Sequence, residues 1–313
     1  MKKSKKCVPV AEKVQLWQLQ LAGNKKLNPG VSKKARKNEN PNSLKQTQQL
    51  ISTFHTLNKQ LELVKTIPNN KVEQLEIQSK LDALGGLHAY QRASLRGGDM
   101  RKGWGATGKW ILPYLKTEHL KIFNQLQNLN SNNKVNKLRL LDVGAITGET
   151  YERHASFLNV TSIDLNSQSP KVIQQDFFKR PIPTNDDERF HVLCLSLVIN
   201  FVGDPAARGL MLSLSRSFLL SSGLLYIVLP LPCITNSRYM THVYFISLLE
   251  SLSFELVKHH HARKLAYYLF KKSDSSAISA LFPKKILRDG GGHNNFAITL
   301  QSTIESSQQI PQS

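Results

Sequence analysis

The stretch Leu138-Arg139-Leu140-Leu141-Asp142-Val143-Gly144-Ala145-Ile146-Thr147-Gly148 decides the fold. Its opening is short, almost wholly apolar and closed by a turn carrying two glycines. That pattern reads as a strand buried on both faces, as in parallel sheets covered by helices on each side. In such a doubly wound sheet, ligands sit outside the carboxyl ends of the strands. The turn after Val143 is therefore the expected cradle, with Gly144 and Gly148 letting the backbone approach a ligand closely. Two glycines do not make the GxGxxG fingerprint, so a dinucleotide pyrophosphate site is not supported.

Working downstream, VTSIDLN (160–166), KVIQQDFF (171–178), FHVLCLSLVI (190–199) and GLLYIVLPLP (223–232) read as four further buried strands. Helical segments fit between several of them, most clearly Pro205 to Leu220. The end differs. FELVKHHHA (254–262) and KLAYYLFKK (264–272) form an expected antiparallel pair about a tight turn near Arg263. Asp164 closes the second strand, 20 residues after Gly144, the usual place for a carboxylate that accepts hydrogen bonds from a ribose diol. Asp176 and Phe177 close the third. Each Asp alone serves equally well as a turn residue or cap; together with Asp142, three aspartates stand at or near the ends of strands one, two and three.

Working upstream, residues 44–130 read as a helical module. Leu50, Ile51, Phe54, Leu57, Leu61 and Val64 recur at helical spacing, with Ser43 as N-cap and Pro68 as terminator. A second run takes Val72, Leu75, Leu81 and Leu84 as its apolar face and stops at Gly85-Gly86. A basic Gly-rich stretch with Tyr90, Arg92, Arg96 and Arg101 follows, then a third helix from Trp110 to about Leu129. Residues 1–43 form a basic tail with eleven Lys or Arg and two Glu in its first 40 positions, a composition expected to stay disordered. Residues 131–272 are the expected catalytic domain and 273–313 a C-terminal extension.

The 313 residues carry 42 Lys and Arg against 22 Asp and Glu, a formal charge of +20. Such an excess points to an anionic partner, nucleic acid first and a membrane surface second. Three scattered cysteines, Cys7, Cys194 and Cys233, offer neither a disulfide framework nor a zinc spacing. No apolar run reaches membrane-spanning length. His259, His260 and His261 alternate faces on a strand, so those three cannot converge on one ion, and no metal is expected. The oligomeric state is open.

A parallel sheet finished by an antiparallel hairpin resembles the class I methyltransferases: an α/β, Rossmann-like, seven-stranded sheet that binds S-adenosylmethionine. In that class an acidic residue after the third strand lies near the cofactor's adenine amino group, which implies this place for Asp176, with Phe177 or Phe178 against the purine. LLDVGAITG, SIDLNSQ, QQDFFKRPIP and LCLSLVINFVGDPAARGLML further resemble the fungal family of large-subunit (25S) ribosomal RNA adenine-N1 methyltransferases. YQRASLRGGD and GGHNNFAITL look like family segments too, although no physical role for Asn294-Asn295-Phe296 is evident from sequence; Gly203 stands where the family more often has proline. The resemblance implies a nucleolar enzyme whose partner is the large-subunit ribosomal RNA, with cofactor residues carried over to Gly144 and Asp164. A related animal branch acts instead as an S-adenosylmethionine sensor, which is the competing expectation.

Adenine N1 has a free lone pair when unpaired, so alignment and exclusion of water suffice and no general base is required. The base must be single-stranded or extruded to be reached. Asn200 and Phe201, just after the fourth strand, are the expected pair for hydrogen-bonding and stacking that base. Helix capping and core packing are the structural alternatives for the same two residues.

Overall fold

The structure, a computed structural model, describes residues 41–65, 67–68, 70–86, 89–90, 92–93, 106–128, 137–274 and 280–301. The basic tail up to residue 40, and Arg96 and Arg101, lie outside the described residues.

Among the described residues, seven strands form one sheet: β1 (Leu138–Val143), β2 (Leu158–Asp164), β3 (Ile173–Gln174), β4 (Phe190–Ser196), β5 (Leu219–Pro230), β6 (Phe254–His261) and β7 (Leu265–Lys272). Their order is β3-β2-β1-β4-β5-β7-β6. β1 to β5 run parallel, and β7 runs antiparallel to both β5 and β6. The carboxyl ends of β1 to β6 therefore share one edge of the sheet. β3 is shorter than the sequence suggests: it makes only two pairings with β2, and Asp176 already caps a 3₁₀ turn.

The central strands β1, β4 and β5 are buried on both faces over most of their length, as their unbroken apolar character requires. In contrast β3, expected to be buried, is exposed at the edge of the sheet, as is most of β6 at the other edge. Leu141 and Val143 point into one core with Phe218 and Phe245, beneath α4 (Pro205–Phe218) and α6 (His242–Ser251). Leu138 and Leu140 point into the other, against Ile111 and Leu115 of α3 (Ala106–Asn128). The covering helices α4 and α6 each have a visible start signal. Asp204 accepts from Ala207 N at 2.7 Å and Pro205 opens α4, while Thr241 caps α6 through Tyr244 N at 3.1 Å. A short α5 (Pro232–Thr235) follows β5.

Ahead of the sheet, α1 (Pro41–Lys65) and α2 (Lys71–Ala83) form a hairpin. α1 starts at Pro41, so Ser43 lies within the helix rather than capping it. Phe54, Leu57, Leu61 and Val64 face Ile77, Leu81 and Leu84. Val72 and Leu75, expected on that face, are 73% and 67% exposed. At about 100° per residue they stand roughly 140° and 160° around the helix from Ile77, and the row Ile77, Leu81, Leu84 takes the contact instead.

The C-terminal segment is part of the packed unit. Phe296, Ile298 and Leu300 join the same core as Leu141 and Val143, and Phe282 bridges to Leu300. Part of the expected C-terminal extension therefore packs into the same core as the sheet. Asn294, for which sequence offered no role, pins this strap: its Oδ1 accepts from Phe296 N at 2.9 Å and its Nδ2 donates to Pro232 O at 2.7 Å.

Candidate cofactor and acceptor site

A cavity of about 1130 Å³ opens at the carboxyl edge of the sheet. That exceeds the roughly 300–1,000 Å³ of a pocket for one small ligand. Gly144, Asp164, Asp176, Phe177, Asn200 and Phe201, six of the eight residues singled out from sequence, all line it. Asp142 and Gly148 do not. Asp142 is only 6% exposed, beneath the turn, and burial pushes its carboxyl up to about 7. Beside it, the Tyr151 hydroxyl meets Cys194 Sγ at 3.4 Å. Gly148 (φ 71°) packs the turn: a β-carbon there would stand 3.1 Å from Lys171 Cβ and from Val172 Cγ2.

Gly144 adopts φ 76°, in the left-handed region that favours glycine, and a β-carbon would stand 2.7 Å from Val198 Cγ2. Asp164 is half-buried at the end of β2, where its Oδ1 accepts from Asn166 N at 2.8 Å. Asp176 Oδ1 accepts from Phe178 N at 2.9 Å, so one of its oxygens is a cap. Phe177 is 3% exposed and packs on Phe218 with centroids 5.3 Å apart, which makes it a core residue that also borders the cavity. Phe178 lines the cavity as well and is only partly buried.

The side of the cavity next to Asn200 and Phe201 is built by a strained turn after β4. Leu197 has φ 60°, a left-handed conformation that costs a non-glycine residue about 1–3 kcal/mol. The turn drops Val198 onto Gly144 and sends Asn200 and Phe201 to the cavity. Asn200 Oδ1 is buried and has no hydrogen-bond partner among the described residues. Phe201 meets Tyr90 edge to face at 5.1 Å, and Tyr90 stacks on Phe54 at 4.8 Å. Tyr90 is thus buried against α1.

Several contributors had no sequence signal. Asn58 of α1 and Gln78 and Asp82 of α2 line the cavity, so the helical hairpin forms one wall of it. Arg208 lies behind the turn, 2% exposed, donating to Val202 O at 2.8 Å, Ala297 O at 2.6 Å and Gly203 O at 3.2 Å. It also lies over the Phe296 ring at 4.6 Å, and burial pushes its guanidinium down to about 10. Arg208 thereby ties the segment after Asn200 and Phe201 to the C-terminal strap. The histidines contain a second omission. His259 and His261 share one face of β6, and His242 of α6 joins them, with both His242 Nδ1 and His261 Nε2 at 3.0 Å from the Tyr268 hydroxyl. Among the described residues no group of His, Cys, Asp or Glu is arranged to hold a metal ion.

The strand order, the reversed β7 and the glycine turn facing the carboxylate on β2 define a class I methyltransferase fold. Within that class the assignment is narrower. The family model described as "25S rRNA (adenine(2142)-N(1))-methyltransferase, Bmt2" matches residues 75–298, and the chain belongs to this family. It is 34% identical over 226 residues to the 25S rRNA (adenine(2142)-N(1))-methyltransferase of Saccharomyces cerevisiae, a match covering 72% of this chain and 63% of that relative. The match therefore spans less than two thirds of that relative's length. It is 31% identical over 256 residues to the 25S rRNA adenine-N(1) methyltransferase of Schizosaccharomyces pombe, covering 80% of this chain and 89% of the relative. Among solved structures, a 1,6-didemethyltoxoflavin-N1-methyltransferase of Burkholderia thailandensis aligns with a TM-score of 0.38 and 13% identity, covering 54% of this chain and 91% of that one.

Proposed function

We propose that this protein transfers the methyl group of S-adenosylmethionine to N1 of an adenine in large-subunit ribosomal RNA. The observation that carries the reading is the orphaned Asn200 Oδ1, buried on the same cavity that Gly144 and Asp164 line. A buried acceptor without a partner costs about 1–3 kcal/mol. It is retained where a ligand supplies the donor, and the exocyclic amino group next to adenine N1 is such a donor.

The residues present fit the cofactor. Gly144 borders the cavity in a left-handed turn where a β-carbon would strike Val198, and Asp164 offers a carboxylate at the strand end where a ribose diol binds. Asp176 and Phe178 border the same half. When bound, S-adenosylmethionine supplies an electrophilic methyl on a sulfonium. The chain's own residues then bind, orient and exclude water. Asn200 holds the amino group, Phe201 offers an aromatic flank, and the α1–α2 hairpin walls the cavity from solvent. No side chain has to remove a proton before attack, because unpaired N1 already carries its lone pair.

The same reading extends to residence in the nucleolus and a part in ribosome assembly. The charge of +20, with eleven Lys or Arg in the first 40 residues, supports it. The test is direct. The full chain is incubated with methyl-labelled cofactor and large-subunit RNA from cells lacking the enzyme, and the labelled nucleoside is identified. N1-methyladenosine is the expected product. Tight cofactor binding with no label in RNA would overturn the reading in favour of a sensor.

A further inference from the structure

The β6–β7 turn lies at the carboxyl edge of the sheet and closes the cavity on the side away from β1–β3. Ala262 N donates to Leu265 O at 2.8 Å, and Leu231 N, at the end of β5, donates to Lys264 O at 2.8 Å. These two bonds fix the turn beside Pro230 and Pro232, so that Arg263 and Lys264 line the cavity. Both side chains are exposed, and neither makes an ion pair or side-chain hydrogen bond among the described residues. Their surroundings carry one sign. From Leu256 to Ser273 the chain holds five Lys or Arg and three His, and no Asp or Glu. Asp164 and Asp176, in contrast, stand on the opposite half of the cavity, at the ends of β2 and β3.

Protection of an edge strand accounts for part of this charge, since β6 is the sheet's last strand and Lys commonly blunts such edges. Lys258 fits that explanation, on the strand itself and over the Tyr114 ring at 5.5 Å. Arg263 and Lys264 do not. They lie in the turn, past the last paired residue His261, and face the cavity rather than a free strand edge.

Resting on the methyltransferase reading above, we propose that Arg263 and Lys264 form the anion-binding rim that grips the RNA backbone beside the methylated base. Among the described residues the cavity wall carries the cations Arg263 and Lys264 and the carboxylates Asp82, Asp164, Asp176 and Asp204. The carboxylates at the ends of β2 and β3 suit a cofactor's hydroxyls, and the cationic turn suits the phosphates of a single strand whose base enters toward Asn200. The rim holds phosphates and carries no sequence information itself.

The test uses the full chain and a fluorescent single-stranded RNA oligonucleotide copied from the large-subunit site, titrated across a range of salt. The double variant Arg263→Ala/Lys264→Ala should lower the slope of log affinity against log salt by about 1.4, since on a single strand each neutralised phosphate contributes roughly 0.7 to that slope. Affinity should fall about tenfold near physiological salt. Thermal unfolding checks the fold, which the two unpartnered side chains should leave unchanged. The control pair Lys80→Ala/Lys116→Ala removes equal charge from exposed positions on α2 and α3. An equal fall in the control would mean that only net charge matters and would overturn the rim. So would an unchanged slope, or a loss of S-adenosylhomocysteine affinity as large as the loss of RNA affinity. If the wild-type chain binds the RNA without methylating it, the reaction assigned above fails while the slope still judges the rim. If it binds no RNA, both fail.

Discussion

Gly144 packs directly against Val198, so closely that a β-carbon at position 144 would stand 2.7 Å from Val198 Cγ2. The turn after β1 and the turn after β4 are therefore packed directly against each other. Gly144→Ala adds strain at φ 76° as well as the collision, and should cost about 1–3 kcal/mol of stability. Val198→Ala should return the part due to collision, a coupling of at least about 0.5 kcal/mol in a double-mutant cycle followed by thermal unfolding. Strict additivity would show that the two turns are independent. Gly144→Arg should abolish S-adenosylhomocysteine binding in calorimetric titration.

Asp164→Asn keeps the shape at the end of β2 and removes the charge. Hydrogen bonds to a charged group contribute about 1.5–3 kcal/mol, so cofactor affinity should fall about ten- to hundredfold. Both carboxylates commit one oxygen to a backbone N–H, Asp164 to Asn166 and Asp176 to Phe178. Asp176 would meet a single amino group where Asp164 would meet a diol, so Asp176→Asn should cost less. Equal losses in the two variants would contradict this ranking.

Arg208 is the buried tie between the acceptor turn and the C-terminal strap. Arg208→Met leaves the carbonyls of Val202, Gly203 and Ala297 without their donor. An unsatisfied buried acceptor costs about 1–3 kcal/mol, so the loss of stability should be on the order of 3 kcal/mol or more. Arg208→Lys should recover only part, because an ammonium lacks the planar fork that reaches three carbonyls. Urea denaturation curves measure both; a loss near zero would mean that the strap is held by its apolar side chains alone.

Asp142 gives a pH dependence with a definite sign. Its folded carboxyl titrates near 7, against an ordinary aspartate value of 3.8. Between about pH 4 and 7 the folded state therefore holds a proton that the unfolded chain has released, and stability falls as pH rises through that window. The penalty is complete above pH 7 and amounts to at most about 4 kcal/mol. Asp142→Asn removes it, so the Tm advantage of the variant over wild type should grow from pH 5 to pH 8. An advantage independent of pH would show that Asp142 is ionised throughout.

The sheet was legible in the sequence because strands buried on both faces leave continuous apolar runs bounded by turn residues. β1, β4 and β5 follow directly from that rule; the β6–β7 hairpin was legible instead from two runs set about a tight turn, since β6 is mostly exposed. β3 was overestimated, since an edge strand with a single neighbour ends where its ladder ends, whatever its composition. On the cavity, Gly144, Asp164, Asp176 and Asn200 were legible because strand ends fix their position in space. Asp142 was not separable from them, because sequence does not tell which side of a strand end faces the ligand. Gln78, Arg208 and the pairing of His242 with His261 depend on contacts between distant segments, which leave no local pattern.

Asn200 should separate stability from activity. Its Oδ1 is buried and without a partner among the described residues, a state that costs folding energy. Asn200→Ala removes the cost, so its Tm should equal or exceed that of wild type, as at other sites where a binding group is kept at the expense of stability. S-adenosylhomocysteine should still bind, because Gly144 and Asp164 are untouched. Methyl transfer should nevertheless fall by about ten- to a hundredfold or more, since a lost hydrogen bond of about 1.5–3 kcal/mol at the base edge also loses alignment. Asn200→Asp supplies an acceptor again and should recover part of the rate. N1 methylation blocks Watson–Crick pairing, so the loss can be read as reverse transcriptase passing a single adenine at which it stops in RNA from cells with the wild-type enzyme. A destabilised Asn200→Ala variant with full activity would show that the amide is structural, and the acceptor pocket would then have to be sought around Phe201 and Tyr90, whose rings lie 5.1 Å apart at the same wall of the cavity.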